Sequence, residues 1–207
     1  MFTAIVAEAE VPSAKGEVSS VMDCAPADTV TRRSLLHAAL SAHRPADATE
    51  RGHLERMRAL IAAAGDPFAR EHHVPGHFTA SAFVLAPDAD ELLLILHAKL
   101  DRWLQPGGHV DPDDRDLLAA ARREVAEEAG LTELALAHEG VFDVDVHVIP
   151  ARASEPAHEH FDVRFLLRAR TREVSAASDA RAARWVPLTE MACMPTDASV
   201  LRAVAKL

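Results

Sequence analysis

The sequence predicts an α/β layered domain with a partly antiparallel sheet, preceded by a helical extension. Three observations carry this expectation. From Phe78 onward, short apolar runs of strand character are interleaved with helix-period segments, the order expected of a sheet covered by helices. Before them, the apolar residues recur at helical spacing only. Finally, 207 residues with 49% hydrophobic and 26% charged content have room for one substantial core plus an appendage, and are short for two full domains.

Taken in order, residues 1–30 carry small and turn-forming residues without a sustained period and read as a loosely attached lead-in. Thr31 to Ala42 and Asp47 to Ala64 are helical, with Leu35, Leu36, Ala39 and Leu40 on one stripe and Leu54, Met57, Leu60 and Ile61 on the other. Pro45 separates them, and Gly65-Asp66-Pro67 stops the second. Residues 1–75 are therefore expected to form the lead-in and extension, and residues 76–207 the main domain. Within the latter, Phe78 to Ala86 and Glu91 to His97 are apolar runs joined by "PDAD", a hairpin signal. A helix is expected from about Arg115 to Ala129, stopped by Gly130, since glycine readily takes the left-handed cap conformation. Val141 to Ile149, Phe161 to Ala169 and Arg184 to Leu188 read as strands, and Asp197 to Lys206 as a closing helix.

Composition excludes several classes. A formal net charge of -10 argues against a nucleic-acid surface. The longest apolar run, Leu92 to Leu96, is too short to span a bilayer, and Met1 to Glu10 lacks the basic start of a signal peptide, so a cytoplasmic location is expected. Cys24 and Cys193 form no CxxC pair and offer no disulfide framework.

The stretch "GGHVDPDDRDLLAAARREVAEEAG", residues 107–130, places Glu124, Glu127 and Glu128 on one side of a helix, within an arc of about 100°. The apolar stripe of that helix is Leu117, Leu118, Ala121 and Val125, and Glu124 and Glu128 project close to Leu117. Two carboxylates therefore lean toward the core, where an unpaired charge costs several kcal/mol, roughly, even after relaxation. A hard divalent metal suits such an all-oxygen cluster. A solvated acidic face is the plain alternative for "EVAEE" alone. The tight glycine loop just before the helix favours the metal, because a glycine loop feeding a carboxylate-rich helix is what a metal-assisted phosphate site needs.

These residues resemble the Nudix hydrolase box, G-x5-E-x7-R-E-U-x-E-E-x-G-U with U aliphatic. Arg123-Glu124-Val125-Ala126-Glu127-Glu128-Ala129-Gly130-Leu131 matches its second half at every fixed position, and Gly108 supplies the first glycine. Two departures stand out: Asp114 replaces the first glutamate, and Gly108 to Arg123 is one residue longer than the pattern. The resemblance implies a Nudix-type α/β/α sandwich with a mixed sheet. It further implies hydrolysis of a pyrophosphate bond in a nucleoside diphosphate linked to another group, a small nucleotide-like substrate, with Mg2+ or Mn2+. By the same likeness the metal ligands are Glu124, Glu127, Glu128 and the Gly107 carbonyl. Glu128, Glu127 and Arg123 are the catalytic set, Arg123 orienting a glutamate. The general base is Glu128 or a later-loop carboxylate, with Glu155 and Glu159 the local candidates. Two alternatives share the fold: an isoprenoid diphosphate isomerase, which needs a catalytic cysteine, and a Nudix-like ligand-binding module without turnover.

Of twelve histidines, "EHH" at 71–73 and "HEH" at 158–160 raise zinc hydrolysis, but neither is the H-E-x-x-H signature. No G-x-x-x-x-G-K-[ST] phosphate loop accompanies "PGG" and His109, which is placed with the substrate. If "HEHFDVRF" is a strand, His158, His160, Asp162 and Arg164 share one face. That stripe either is a solvated edge or borders the cleft, where His158, His160 and Arg164 contact the substrate's phosphates or leaving group.

Overall fold

The computed structural model describes residues 28–88, 90–152 and 155–207. The lead-in lies outside them up to residue 27, Cys24 included. The first helix, α1 (Thr29–Ala42), starts where the Asp28 carboxylate accepts the Thr31 N–H. The second, α2 (Ala48–Ala62), starts where Asp47 accepts the Glu50 N–H while Glu50 reaches back to the Ala46 N–H. Each such cap contributes about 1 kcal/mol. Leu36, Leu40, Leu54, Met57, Leu60 and Ile61 turn inward and share one apolar core with the sheet residues Phe78, Ala80, Phe161 and Val163. The helical pair is thus packed onto the sheet.

Among the described residues eight strands follow: β1 (Gly76–Leu85), β2 (Glu91–His97), β3 (Arg102–Leu104), β4 (Gly107–His109), β5 (Leu134–Leu136), β6 (Asp143–Ile149), β7 (His158–Ala169) and β8 (Ala180–Pro187). They form one mixed sheet in the order β3-β2-β1-β7-β5, with β4 on β1, β6 on β7 and β8 on β2. β1 and β7 run parallel, Gly76 beside Glu159 through Leu85 beside Arg168; the other pairs are antiparallel. The mixed sheet and the β1–β2 hairpin match the sequence expectation. The last strand begins at Ala180 rather than Arg184. Three strands, β3, β4 and β5, were not anticipated: at three residues each they are too short to show a period.

Alternation along β1 decides what lies on each face. Phe78, Ala80, Ala82 and Val84 join the core under α1, α2 and the box helix α3 (Leu117–Ala129). Phe83 and Leu85 face the opposite way, with Leu92 and Leu94 of β2 and with Val200 and Ala203 of the closing helix α4 (Ala198–Val204). Towards the start of β1 this second face becomes polar: His77, Thr79 and Ser81 are all buried.

Candidate active site

The box helix begins where Asp116 accepts the Ala119 N–H at 2.8 Å, and ends at Gly130, whose φ of 73° lies in the left-handed region. With Leu117, Ala121 and Val125 in the core, the glutamates are graded in depth. Glu128 is 3% exposed, the Glu124 side chain is 14% exposed, and the Glu127 side chain is 47% exposed at the rim. Opposite them β4 lies tight against β1, which requires glycine at 107, and Gly108 lies tight against the Glu124 carboxylate. A Cβ on Gly107 would come 2.3 Å from Ser81 Cβ, and one on Gly108 would come 2.6 Å from Glu124 Oε1. The close approach lets the Gly107 N–H donate to Glu128 Oε2 at 3.0 Å.

Arg123 organises the remaining carboxylates. Its Nη1 donates to Glu124 Oε1 at 2.8 Å and to Glu127 Oε2 at 3.2 Å, its Nη2 to Asp114 Oδ2 at 2.9 Å and to the His109 carbonyl at 2.8 Å. The arginine thus positions two glutamates, where sequence reasoning expected one. Buried Asp114 meets Arg123 despite its shorter side chain and the extra residue between them, and it also accepts the Asp111 N–H. Burial opposes the charge on Arg123, but the bonds from Asp114 and Glu124 outweigh it and hold the guanidinium more firmly cationic than usual.

One arginine does not balance this site. Burial pushes the Glu128 carboxyl up to about 7, with Glu124, Asp179 and Glu127 adding to the effect and the Gly107 N–H opposing it. Burial raises Glu124 as well, partly offset by Arg123. Three carboxylates and the Gly107 carbonyl therefore make an all-oxygen set short of positive charge, which fits a hard divalent cation. The carboxylates are not drawn to a point. Among the described residues, the side-chain group whose ligand atoms lie within 4.8 Å of one another is His77, His158 and His160 instead.

The three glutamates, Arg123, Gly107, His109 and His160 line one cleft of about 960 Å³. Two expected substrate contacts, His158 and Arg164, do not line it. Arg164 is 2% exposed, its Nε bonded to Asp162 at 2.8 Å and its terminal nitrogens to Asp143, Asp145 and Ser199. The phosphate contact expected of it is corrected: a guanidinium whose donors are spent inside the protein is not available to a ligand. Nor is its stripe a solvated edge, since His158, Asp162 and Arg164 are all buried. Of the candidate bases, Glu159 pairs with Arg56 and is absent from the cleft lining, while Glu155 lines it, bonded to Arg70 at 3.2 Å. Sequence reasoning missed Thr79, Ser81 and Gln105, which with Asp162 form a hydrogen-bonded cleft floor, and His147 beside His160. The available signal was the second polar alternation in "DVDVH", facing that of "HEHFDVR".

A family model described as NUDIX domain matches residues 76–205. Similar solved structures include a MutT NUDIX hydrolase from Burkholderia pseudomallei, at 21% identity over 63% of this chain and 96% of that chain, with a TM-score of 0.50. A NUDIX-family hydrolase from Clostridium perfringens is 24% identical over 63% of this chain and 97% of that one, with a TM-score of 0.47. A binary complex of an Ap4A hydrolase from C. elegans is 22% identical over 62% and 93% of the two chains, with a TM-score of 0.45. No curated protein matches the chain.

Proposed function

Because the chain belongs to the NUDIX family, we propose that it is a divalent-metal-dependent hydrolase that cleaves a pyrophosphate bond in a nucleoside diphosphate linked to another group. The observation that carries this reading is the charge imbalance on α3: two carboxyls pushed upward by burial, at the wall of a cleft, beside a backbone held close by two glycines. Glu124, Glu127, Glu128 and the Gly107 carbonyl would hold Mg2+ or Mn2+. Such a cation, when bound, neutralises phosphate oxygens and acidifies a water.

The chain's own residues supply the rest. Arg123 fixes the carboxylates of Glu124 and Glu127, so their geometry does not have to be found at each turnover. Glu128 is the general base of this reading, since it is buried at the cleft wall and anchored by the Gly107 N–H at 3.0 Å. Glu155 is the weaker candidate, its carboxyl held below the usual range by Arg70. In the same cleft, burial and neighbouring charges lower His109 to about 4 and His160 to about 2. They would therefore meet the leaving portion of the substrate as neutral hydrogen-bonding groups, without a pH dependence near neutrality. We read residues 1–75 as an extension to a catalytic domain at 76–207, with Arg32 of α1 bound to the Pro112 carbonyl at the cleft edge. Among the described residues the isomerase reading gains no support, because Cys193 is exposed and absent from the cleft lining; Cys24 lies outside them.

The test is a panel of nucleoside diphosphates linked to sugars, nucleosides and alkyl groups, incubated with Mg2+ or Mn2+ and resolved by mass spectrometry. The reading predicts a nucleoside monophosphate and a phosphorylated partner from at least one compound, and no products in EDTA. Tight binding of panel members with no cleavage would make the protein a ligand-binding module.

A further inference from the structure

Of three histidines clustered at the cleft wall, His77 and His158 have no part in the chemistry above, and their arrangement with His160 is specific. His77 on β1 lies beside His160 on β7 in the parallel register, and His158 stands two residues before His160 on the same face. The ring centroids of these three are 4.9 Å, 5.0 Å and 5.3 Å apart. One ring nitrogen from each falls within 4.8 Å of the other two. We propose that His77, His158 and His160 form a second metal site, for a divalent transition ion of the Zn2+ class, separate from the glutamate cluster.

The hydrogen bonds around the triad prepare nitrogens for such an ion. His77 Nδ1 lies 3.3 Å from the His72 carbonyl, and His158 Nδ1 lies 2.9 Å from the Pro156 carbonyl. A carbonyl only accepts, so both Nδ1 atoms carry the proton and both Nε2 atoms carry a lone pair. A backbone oxygen on the far nitrogen is the outer-shell partner that metal-bound imidazoles use to fix tautomer and ring orientation. The lone pair of His77 is then conspicuous: its Nε2 is buried with no hydrogen-bond partner among the described residues. A buried polar atom left without a partner is costly, and an ion removes that cost.

The donor chemistry separates the two sites. Imidazole nitrogen favours Zn2+, Co2+, Ni2+ and Cu2+, while carboxylate and carbonyl oxygen favour Mg2+ and Mn2+. His160 lines the cleft and His77 does not, so the ion sits at the cleft wall and ties the start of β1 to the start of β7. This triad lacks the one-helix H-E-x-x-H arrangement because its members come from two strands 83 residues apart in register, as His77 and His160 show by pairing. It is a wall-building site, and its existence does not depend on the hydrolase reading.

The test begins with the full-length wild-type chain stripped of metal. It is titrated with Co2+ in excess Mg2+, read by visible ligand-field absorption, and then back-titrated with Zn2+. The proposal predicts one equivalent of Co2+ with the intense bands of a low-coordinate nitrogen site, displaced by Zn2+ and indifferent to Mg2+. The same signal persists in the Glu124→Gln/Glu127→Gln double variant. His158→Gln and His160→Asn weaken Co2+ binding by about 100-fold, with circular dichroism confirming that each variant is folded. Absence of the bands from the wild-type chain overturns the proposal, whatever the variants do. So does a signal that the glutamate variant abolishes and the histidine variants leave intact.

Discussion

Replacing Glu128 with Gln should stabilise the metal-free protein above neutral pH, although it removes a residue of the site. The carboxyl stands at about 7 in the folded chain against an ordinary 4.5, chiefly because it is buried. Such a raised group favours the folded state fully below its ordinary value, and that advantage is lost as pH rises through the folded value. At roughly 1.4 kcal/mol per tenfold change in proton affinity, the ionised Glu128 costs about 3 kcal/mol at alkaline pH, of which about 2.5 kcal/mol develops between about pH 5 and about pH 8.5. Glutamine keeps an oxygen able to accept the Gly107 N–H, so the variant loses the charge and retains the contact. The assay is urea unfolding in EDTA at the two pH values for both proteins. Wild type should lose stability with rising pH relative to Glu128→Gln, by about the stated amount. Adding Mg2+ should reverse the ranking, because a cation that binds the folded carboxylates stabilises only the wild type appreciably. Parallel stability curves in EDTA would mean that Glu128 carries no burial cost for a cation to relieve.

Three further predictions follow from particular contacts. Gly108→Ala places a Cβ 2.6 Å from Glu124 Oε1, so turnover on the best panel substrate should fall about 100-fold with the circular dichroism spectrum unchanged. Asp114→Asn removes the charge that Arg123 meets at 2.9 Å; a loss of about 2 kcal/mol in urea unfolding, with lowered turnover, is expected, and Asp114→Glu should recover part of both. In acid, Glu50 and Asp145 matter most: burial opposes their ionisation, but Lys206 holds Glu50, and His147 and Arg164 hold Asp145, each at about 2. Their stabilisation is present above ordinary carboxylate values and lost as pH falls towards 2. Glu50→Gln should accordingly lose less stability than wild type between about pH 5 and about pH 2.5, read by chemical unfolding.

What the sequence revealed was local. Glu124, Glu127, Glu128 and Arg123 lie within six residues, so helical spacing alone brings them to one side, and the structure shows the graded depth that the wheel implies. The fate of Arg164 was not legible, because its partners Asp143 and Asp145 come from β6 by antiparallel pairing. A polar stripe on one strand reads as surface or cleft until the strand beside it is known. The histidine triad was hidden for the same reason, its members meeting through the parallel register of β1 and β7. Strand β4 was read as loop, yet its pairing with β1 is what requires glycine at 107 and sets the backbone against Glu128.

In the proposed function the α3 carboxylates hold the cation on which phosphoanhydride cleavage depends. That role is tested most directly by measuring Mn2+ occupancy by electron paramagnetic resonance and turnover in the same samples. Wild type is compared with Glu124→Gln, Glu127→Gln and Glu128→Gln. The account predicts that turnover tracks Mn2+ occupancy in wild type, and that each substitution weakens binding and lowers turnover by roughly two orders of magnitude or more. Turnover that survives when the carboxylate-bound Mn2+ is lost would contradict it.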